Sequence, residues 1–288
     1  MLRWVHIALA VLLVMLAGVI AWHVFRASRE REPVYQGKRL SGWLETLYDE
    51  KKPIGDRAEQ AIRRQNIRRV EQAIRQIGTN ALPLLIEGLQ AQDTKLKQLM
   101  MTWVQKQKLV HFNFKSANQR RIEAILGYQA LGPLASAQVP SLSGILTNDP
   151  SPDVRRAVAQ VLASIGPEAR LAASALFHAA KDTNDAVRAC AFFALGGIRP
   201  ASQFTIPVLV AGLDDPYPET RWHAAMSLGR YGQEAKAAVP ALLRTLATNN
   251  AAGTERDAAA GALKQIRDAA AWALKQIDPE AAAKAGVE

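Results

Sequence analysis

Apolar positions in the second half of this chain recur on two scales. Within a segment they fall at i, i+4 and i+7, the stripe of an amphipathic helix: Val158, Leu162 and Ile165, then Ala191, Leu195 and Ile198, then Ala224, Leu228 and Tyr231, then Ala259, Leu263 and Ile266. The segments themselves repeat. Arg155, Arg188, Arg221 and Arg256 stand at equivalent places in successive segments, at a spacing of roughly 33–35 residues. That period predicts an all-α, right-handed solenoid of about five helical hairpins, each burying its face only against its neighbours. Glycine and proline punctuate the array at Leu131-Gly132-Pro133, Ile165-Gly166-Pro167, Ile198-Arg199-Pro200 and Tyr231-Gly232, where one helix stops and the next starts.

The earlier residues fit the pattern more loosely. Ser41 reads as the N-cap of a short helix burying Trp43, Leu44 and Leu47. A longer helix is predicted from about Asp56 to Ile77, with Ile67, Val70, Ile74 and Ile77 at helical spacing. Ile77-Gly78-Thr79-Asn80-Ala81-Leu82-Pro83 is another corner. The interval from Pro83 to Pro140 is more than one and a half periods, so the first unit carries an insertion. It is read as an extended second helix around Leu96–Val110 and a connection through Phe112 and Phe114. At the other end, Ala262-Leu263-Lys264-Gln265-Ile266 returns unchanged as Ala273-Leu274-Lys275-Gln276-Ile277. The displacement, about 11 residues, makes roughly three turns, which predicts one lengthened terminal helix with a continuous buried face. The division is therefore 1–26, membrane anchor; 27–55, polar linker and short helix; 56–136, basic helical region with the insertion-bearing repeat; 137–277, repeat array; 278–288, frayed tail.

From Trp4 to Phe25 no side chain is charged. At about 1.5 Å per residue this run reaches roughly 33 Å, enough for the ~30 Å hydrocarbon layer. Trp4 and Trp22 stand near its ends, where indoles favour the interface. An uncleaved transmembrane helix is the favoured reading; a signal peptide cut after Val19-Ile20-Ala21 is the rival. Arg26, Arg29, Arg31, Lys38 and Arg39 follow the span and favour a cytoplasmic soluble part by the positive-inside rule; a periplasmic placement stays open, because long domains translocate regardless of flanking charge.

Charge sharpens this division. The net charge of +10 lies wholly in residues 1–130, with 21 Lys/Arg against 11 Asp/Glu, while residues 131–288 carry 15 of each. Residues 51–75 and 91–121 hold the basic runs. In the first, Arg64, Arg68 and Arg75 share a helix face, and the second includes Lys106 and Lys108. Solvated faces account for such runs, and the nearby span suggests anionic headgroups instead. Nucleic acid is the weaker reading of 51–121, since no recognised motif accompanies the charge. A single cysteine, Cys190, excludes an intramolecular disulfide and a Cys-based zinc site. His111, His178 and His223 are isolated, no metal-ligand spacing appears, and no cofactor or catalytic motif is present.

Six residues before the repeated arginines stand Asp149 (before Arg155), Asp182 (before Arg188) and Asp215 (before Arg221), with Asn250 in the last unit, before Arg256. An acidic acceptor in the inter-helix turn, facing an arginine, can pin one repeat to another. With these residues the chain resembles the HEAT repeats over 137–266. Before Arg121 the corresponding residue is Lys115, so the aspartate is missing there. The layout of a span, Tyr35-x-Gly37-Lys38-x-Leu40-Ser41-x-Trp43-Leu44 and an Ile-Gly-Thr-Asn-Ala-Leu-Pro corner resembles bacterial membrane-anchored HEAT-repeat proteins of unassigned function. The resemblance implies a non-enzymatic scaffold with its second helices on the concave face. There Arg156, Gln160, Phe193, Trp222 and Met226 would bind a protein or peptide, the aromatic and Met side chains as anchors. The alternatives are gap-filling side chains at those positions, or a lyase like the phycobilisome-lyase-like relatives of the family.

Overall fold

The protein is described by a computed structural model over residues 32–52, 57–93, 115–250 and 257–287. The expected span lies outside these residues; among the described residues no helix is long and apolar enough to cross a membrane. The stretch Leu96–Val110, Phe112 and Phe114, with Lys106 and Lys108, also lies outside them.

A short β-hairpin comes first, a departure from a purely α-helical reading. Strand β1 (Val34–Tyr35) pairs antiparallel with β2 (Lys38–Arg39). Gln36 and Gly37 turn the chain with φ of 49° and 74°, the pair of positive values that a two-residue type I′ turn requires. The hairpin also corrects the expected cap. Helix α1 (Leu40–Glu50) has Arg39 at its N-cap, and Ser41 donates its backbone N–H to the carboxylate of Glu32, which the hairpin brings back to the helix start. A carboxylate there meets both an orphan donor and the positive end of the helix dipole.

Helices then alternate. First helices are α1, α3 (Leu82–Leu89), α5 (Val139–Asn148), α7 (Ala173–Ala179), α9 (Ser202–Gly212) and α11 (Val239–Asn250). Second helices are α2 (Arg57–Ile77), α4 (Ala117–Leu131), α6 (Pro152–Ile165), α8 (Asp185–Ile198), α10 (Pro218–Tyr231) and α12 (Asp257–Ile277). The pair α1–α2 is thus one more unit than the period alone indicated, and α2 packs on α4 as the later second helices pack on each other. The second helix of the insertion-bearing unit is α4, and the residues between α3 and α4 that carry the insertion lie largely outside the described residues.

Second helices pack directly on one another along the stack, whereas successive first helices touch little. The second helices are therefore the tighter, inner row, and their outward stripe is the concave face. Small residues permit this approach. A Cβ on Gly196 would collide with Oγ of Ser227 and stand 2.9 Å from its Cα; one on Gly229 would collide with the Trp272 ring and stand 2.9 Å from Cα of Ala273. The core between the rows is aliphatic and continuous, from Leu40 and Ile74 through Leu162, Leu195 and Leu228 to Leu274.

Each second helix ends at one edge of the stack and each first helix ends at the other. The corner edge holds the tight links after the second helices, with left-handed Gly78, Gly132, Gly166 and Gly232, and Arg199 at φ 46° in the place of a glycine. The turn edge holds the links from first to second helix, where the repeated aspartates stand. At the C-terminus the expected frayed tail is instead ordered. Asp278 accepts from the Ala281 N–H, Pro279 starts helix α13 (Pro279–Lys284), and Ala282 is buried.

Candidate functional site

The turn edge shows how the units are joined. Arg155 on α6 grips Asp182 with two parallel hydrogen bonds, Nε to Oδ2 at 2.7 Å and Nη2 to Oδ1 at 2.9 Å. Arg188 on α8 does the same to Asp215, at 2.8 and 3.0 Å. The carboxylate that meets each arginine thus belongs to the following unit, 27 residues on. The aspartate six residues earlier contributes its backbone carbonyl: Nη1 donates to Asp149 O at 2.9 Å, to Asp182 O at 3.0 Å and, from Arg221, to Asp215 O at 2.7 Å. Side chains of these aspartates also turn the chain into the second helix, accepting backbone N–H groups of Ser151, Asn184 and Tyr217 at 2.8–2.9 Å.

Burial by itself would raise the Asp182 and Asp215 carboxyls. The arginine hydrogen bonds, a backbone N–H and the arginine charge outweigh it, and both lie below their usual value of 3.8. Arg155 and Arg188 are raised, first by the same side-chain hydrogen bonds. The ladder is a structural device that fixes the pitch between neighbours.

In the insertion-bearing unit the acidic position is filled by Asp93, on the far side of the insertion, and not by Lys115. Asp93 Oδ2 accepts the Ala117 N–H at 2.8 Å, and Arg121 donates to Ala91 O at 2.7 Å. Lys115 instead bridges Glu45 and buried Glu123 at 3.3 and 3.0 Å. A fixed six-residue spacing could not find Asp93, because the insertion lies inside that spacing.

On the concave face, Phe193 on α8 and Trp222 on α10 are half-buried and flank the imidazole of His223. Ring centroids lie 5.2 Å from Phe193 and 4.7 Å from Trp222, the latter edge-on. Arg230 lies over the Phe193 ring at 5.3 Å. Trp222 and Met226 also touch the core, so each is part filler and part surface. Beside Trp222 a cleft of about 350 Å³ opens between α10 and α12, lined by Tyr217, Pro218, Glu219, Trp222, Gln265 and Ile266. Half-buried Arg156 and Gln160 on α6 continue the stripe one unit earlier.

His223, isolated in sequence, is central to this patch. Burial depresses it to about 4; Glu219 at 3.9 Å opposes the shift and Arg230 adds to it, leaving a neutral ring. Its Nδ1 is buried without a hydrogen-bond partner. Cys190 is pushed up to about 11 by burial, which keeps it a thiol at neutral pH. Among the described residues no group of three or more His, Cys, Asp and Glu is arranged to hold a metal ion.

The basic residues of α2 spread along the helix. Arg64 and Arg68 are exposed on its turn-edge side and middle, while Arg75 reaches the corner edge and donates Nε to Ala130 O at 2.7 Å.

The family model described as HEAT repeats matches residues 139–205 and 173–264. Over residues 139–264 the repeat units are similar to HEAT repeats. The matched span covers α5 to the first part of α12, the units joined by the arginine–aspartate ladder and carrying the concave patch. HEAT repeats are in general protein-interaction scaffolds. No curated protein matches the chain significantly.

Proposed function

We propose that the protein is a non-enzymatic, membrane-anchored scaffold that docks a protein or peptide on the concave face of its HEAT array. The observation that carries the reading is the Phe193–His223–Trp222 cluster. It sets aromatic side chains, half-buried and held by neighbouring rings, in the middle of the inner row beside an open cleft. Rigid aromatics bury large area at small entropic cost, as interface anchors do. Met226 extends the apolar patch, while Arg156 and Gln160 provide a polar border. Residues 4–25 serve as the single span, on the strength of their uncharged length, with the scaffold on the cytoplasmic side.

The test is capture of partners by the full chain from detergent-solubilised membranes, set against the Trp222→Ala and Phe193→Ala variants. Both variants should lose a common set of partners. Trp222 is partly exposed, so its truncation should cost about 1–2 kcal/mol, less than the ~3–5 kcal/mol of a fully buried aromatic. Unchanged capture by both variants, or loss only together with unfolding, would refute the docking role.

A further inference from the structure

The corner edge gathers apolar side chains that nothing in the fold covers. Six large apolar residues are exposed among the described residues, and four of them stand on this edge: Val34 at 58%, Leu134 at 49%, Leu171 at 83% and Phe204 at 62%. Leu171 and Phe204 are one repeat period apart, equivalent positions in adjacent units, so they form a ridge rather than scattered points. Exposed basic residues flank it: Arg75, Arg170, Arg199 and Lys236, against Glu168 and Glu234. Arg199 has a positive φ of 46°, in the left-handed helical region, at the corner position where four other units place a glycine. Retaining a side chain in that strained place points to a use for it. On the opposite edge of the later units acids predominate, with Asp153, Asp185, Asp214 and Glu219 exposed against Lys181; Lys51 and Lys52 are exposed on that edge at the first unit.

The chain also arrives at the corner edge. Glu50, at the end of α1, reaches Asn66 at 3.0 Å and Arg63 at 3.7 Å, near the middle of α2. The start of α1 is about 15 Å further on, level with the corner end of α2, and Glu32 is fastened to it through the Ser41 N–H. Six residues, 26–31, separate the apolar run from Glu32. Fully extended they span at most roughly 20 Å. We propose that the HEAT array stands edge-on at the membrane, with Val34, Leu134, Leu171 and Phe204 seated in the interface of a bilayer and Arg170 and Arg199 on its anionic headgroups. This rests on residues 4–25 being the anchor. It turns the acids of the far edge away from the like-charged surface and leaves the concave face open sideways to a partner. Apolar tips ringed by basic side chains suit the boundary between acyl chains and headgroups.

The full chain, with Cys190→Ala, would be reconstituted into vesicles of phosphatidylcholine and phosphatidylglycerol. An environment-sensitive fluorophore would be attached through Leu171→Cys, Phe204→Cys or, on the far edge, Asp185→Cys. Spin-labelled lipid should quench the probes at 171 and 204 and spare the one at 185. Arg170→Glu with Arg199→Glu should weaken that quenching in anionic vesicles. Resistance of the chain to a carbonate wash reports the anchor separately. Retention without quenching at 171 and 204 overturns the edge proposal alone, as does equal quenching at all three positions. A probe at 171 that is shielded already in detergent, with the chain dimeric, also overturns it, because a second copy then covers the ridge. Release by carbonate overturns the anchor, and the edge proposal falls with it.

Discussion

Replacing Arg188 by alanine removes one rung of the ladder, and the structure fixes what is lost. The guanidinium makes two hydrogen bonds to the Asp215 carboxylate, one to the Asp182 carbonyl and one to Asp185. Arg188 and Asp215 side chains are only 13% and 11% exposed, so water would not fully replace the missing donor. Asp215 keeps the Tyr217 N–H at 2.8 Å, which softens the loss. Charged hydrogen bonds are worth about 1.5–3 kcal/mol and breaking a buried pair about 3–5 kcal/mol; the partial burial here places Arg188→Ala at roughly 2–3 kcal/mol. For a domain of this size that is a fall in melting temperature of about 4–12 °C. A double-mutant cycle by urea denaturation gives the sharper test. Arg188→Ala should couple to Asp215→Ala by about 1 kcal/mol or more and to Asp182→Ala hardly at all, since Asp182 offers Arg188 only its carbonyl. The pH dependence follows from the depressed Asp215 carboxyl. Its contribution is full above the unfolded value near 3.8 and is lost as pH falls through the lower folded value. Coupling to Asp182 in place of Asp215, or an unchanged melting temperature, would sink the inter-unit ladder.

Gly196→Ala should destabilise by about 1–3 kcal/mol, because the added methyl meets the Ser227 backbone as well as its hydroxyl; a melting temperature equal to wild type would show that α8 and α10 can separate freely. Arg199→Gly should stabilise by about 0.5–1 kcal/mol through relief of the left-handed conformation. It gives up a cation–π contact with Tyr231 and an exposed pair with Glu234, and a net loss of stability would show that these contacts matter more than the strain. His223 lies near 4 when folded against an ordinary 6.5, so the unfolded chain binds the proton first. Stability should be complete above about 6.5 and decline as pH falls toward 4. His223→Leu should flatten that decline in denaturant titrations, and a wild-type slope in this variant would assign it to other groups.

Much of the solenoid is written in the sequence because each unit repeats the same local requirements. The i, i+4, i+7 stripes named Leu162, Leu195 and Leu228 as core, and all three are fully buried. Glycine and proline marked the corners for the same reason, since a left-handed residue ends a helix wherever it occurs. The aspartates and arginines of the ladder were visible as a spacing, but a spacing does not say which unit's carboxylate an arginine reaches. That depends on how far one hairpin is displaced from the next, so the Arg188–Asp215 pairing belongs to the tertiary structure. Asp93 was hidden behind an insertion, and the Glu32 cap behind a hairpin, because both act across distances in sequence that no local pattern spans. His223 looked isolated along the chain, and only the packing of α8 against α10 places it between two aromatic rings. Charge behaved in the same way. The array is neutral as a string of letters, and the alternation of first and second helices places Asp153, Asp185, Asp214 and Glu219 at one edge and Leu134, Leu171, Phe204, Arg170 and Arg199 at the other.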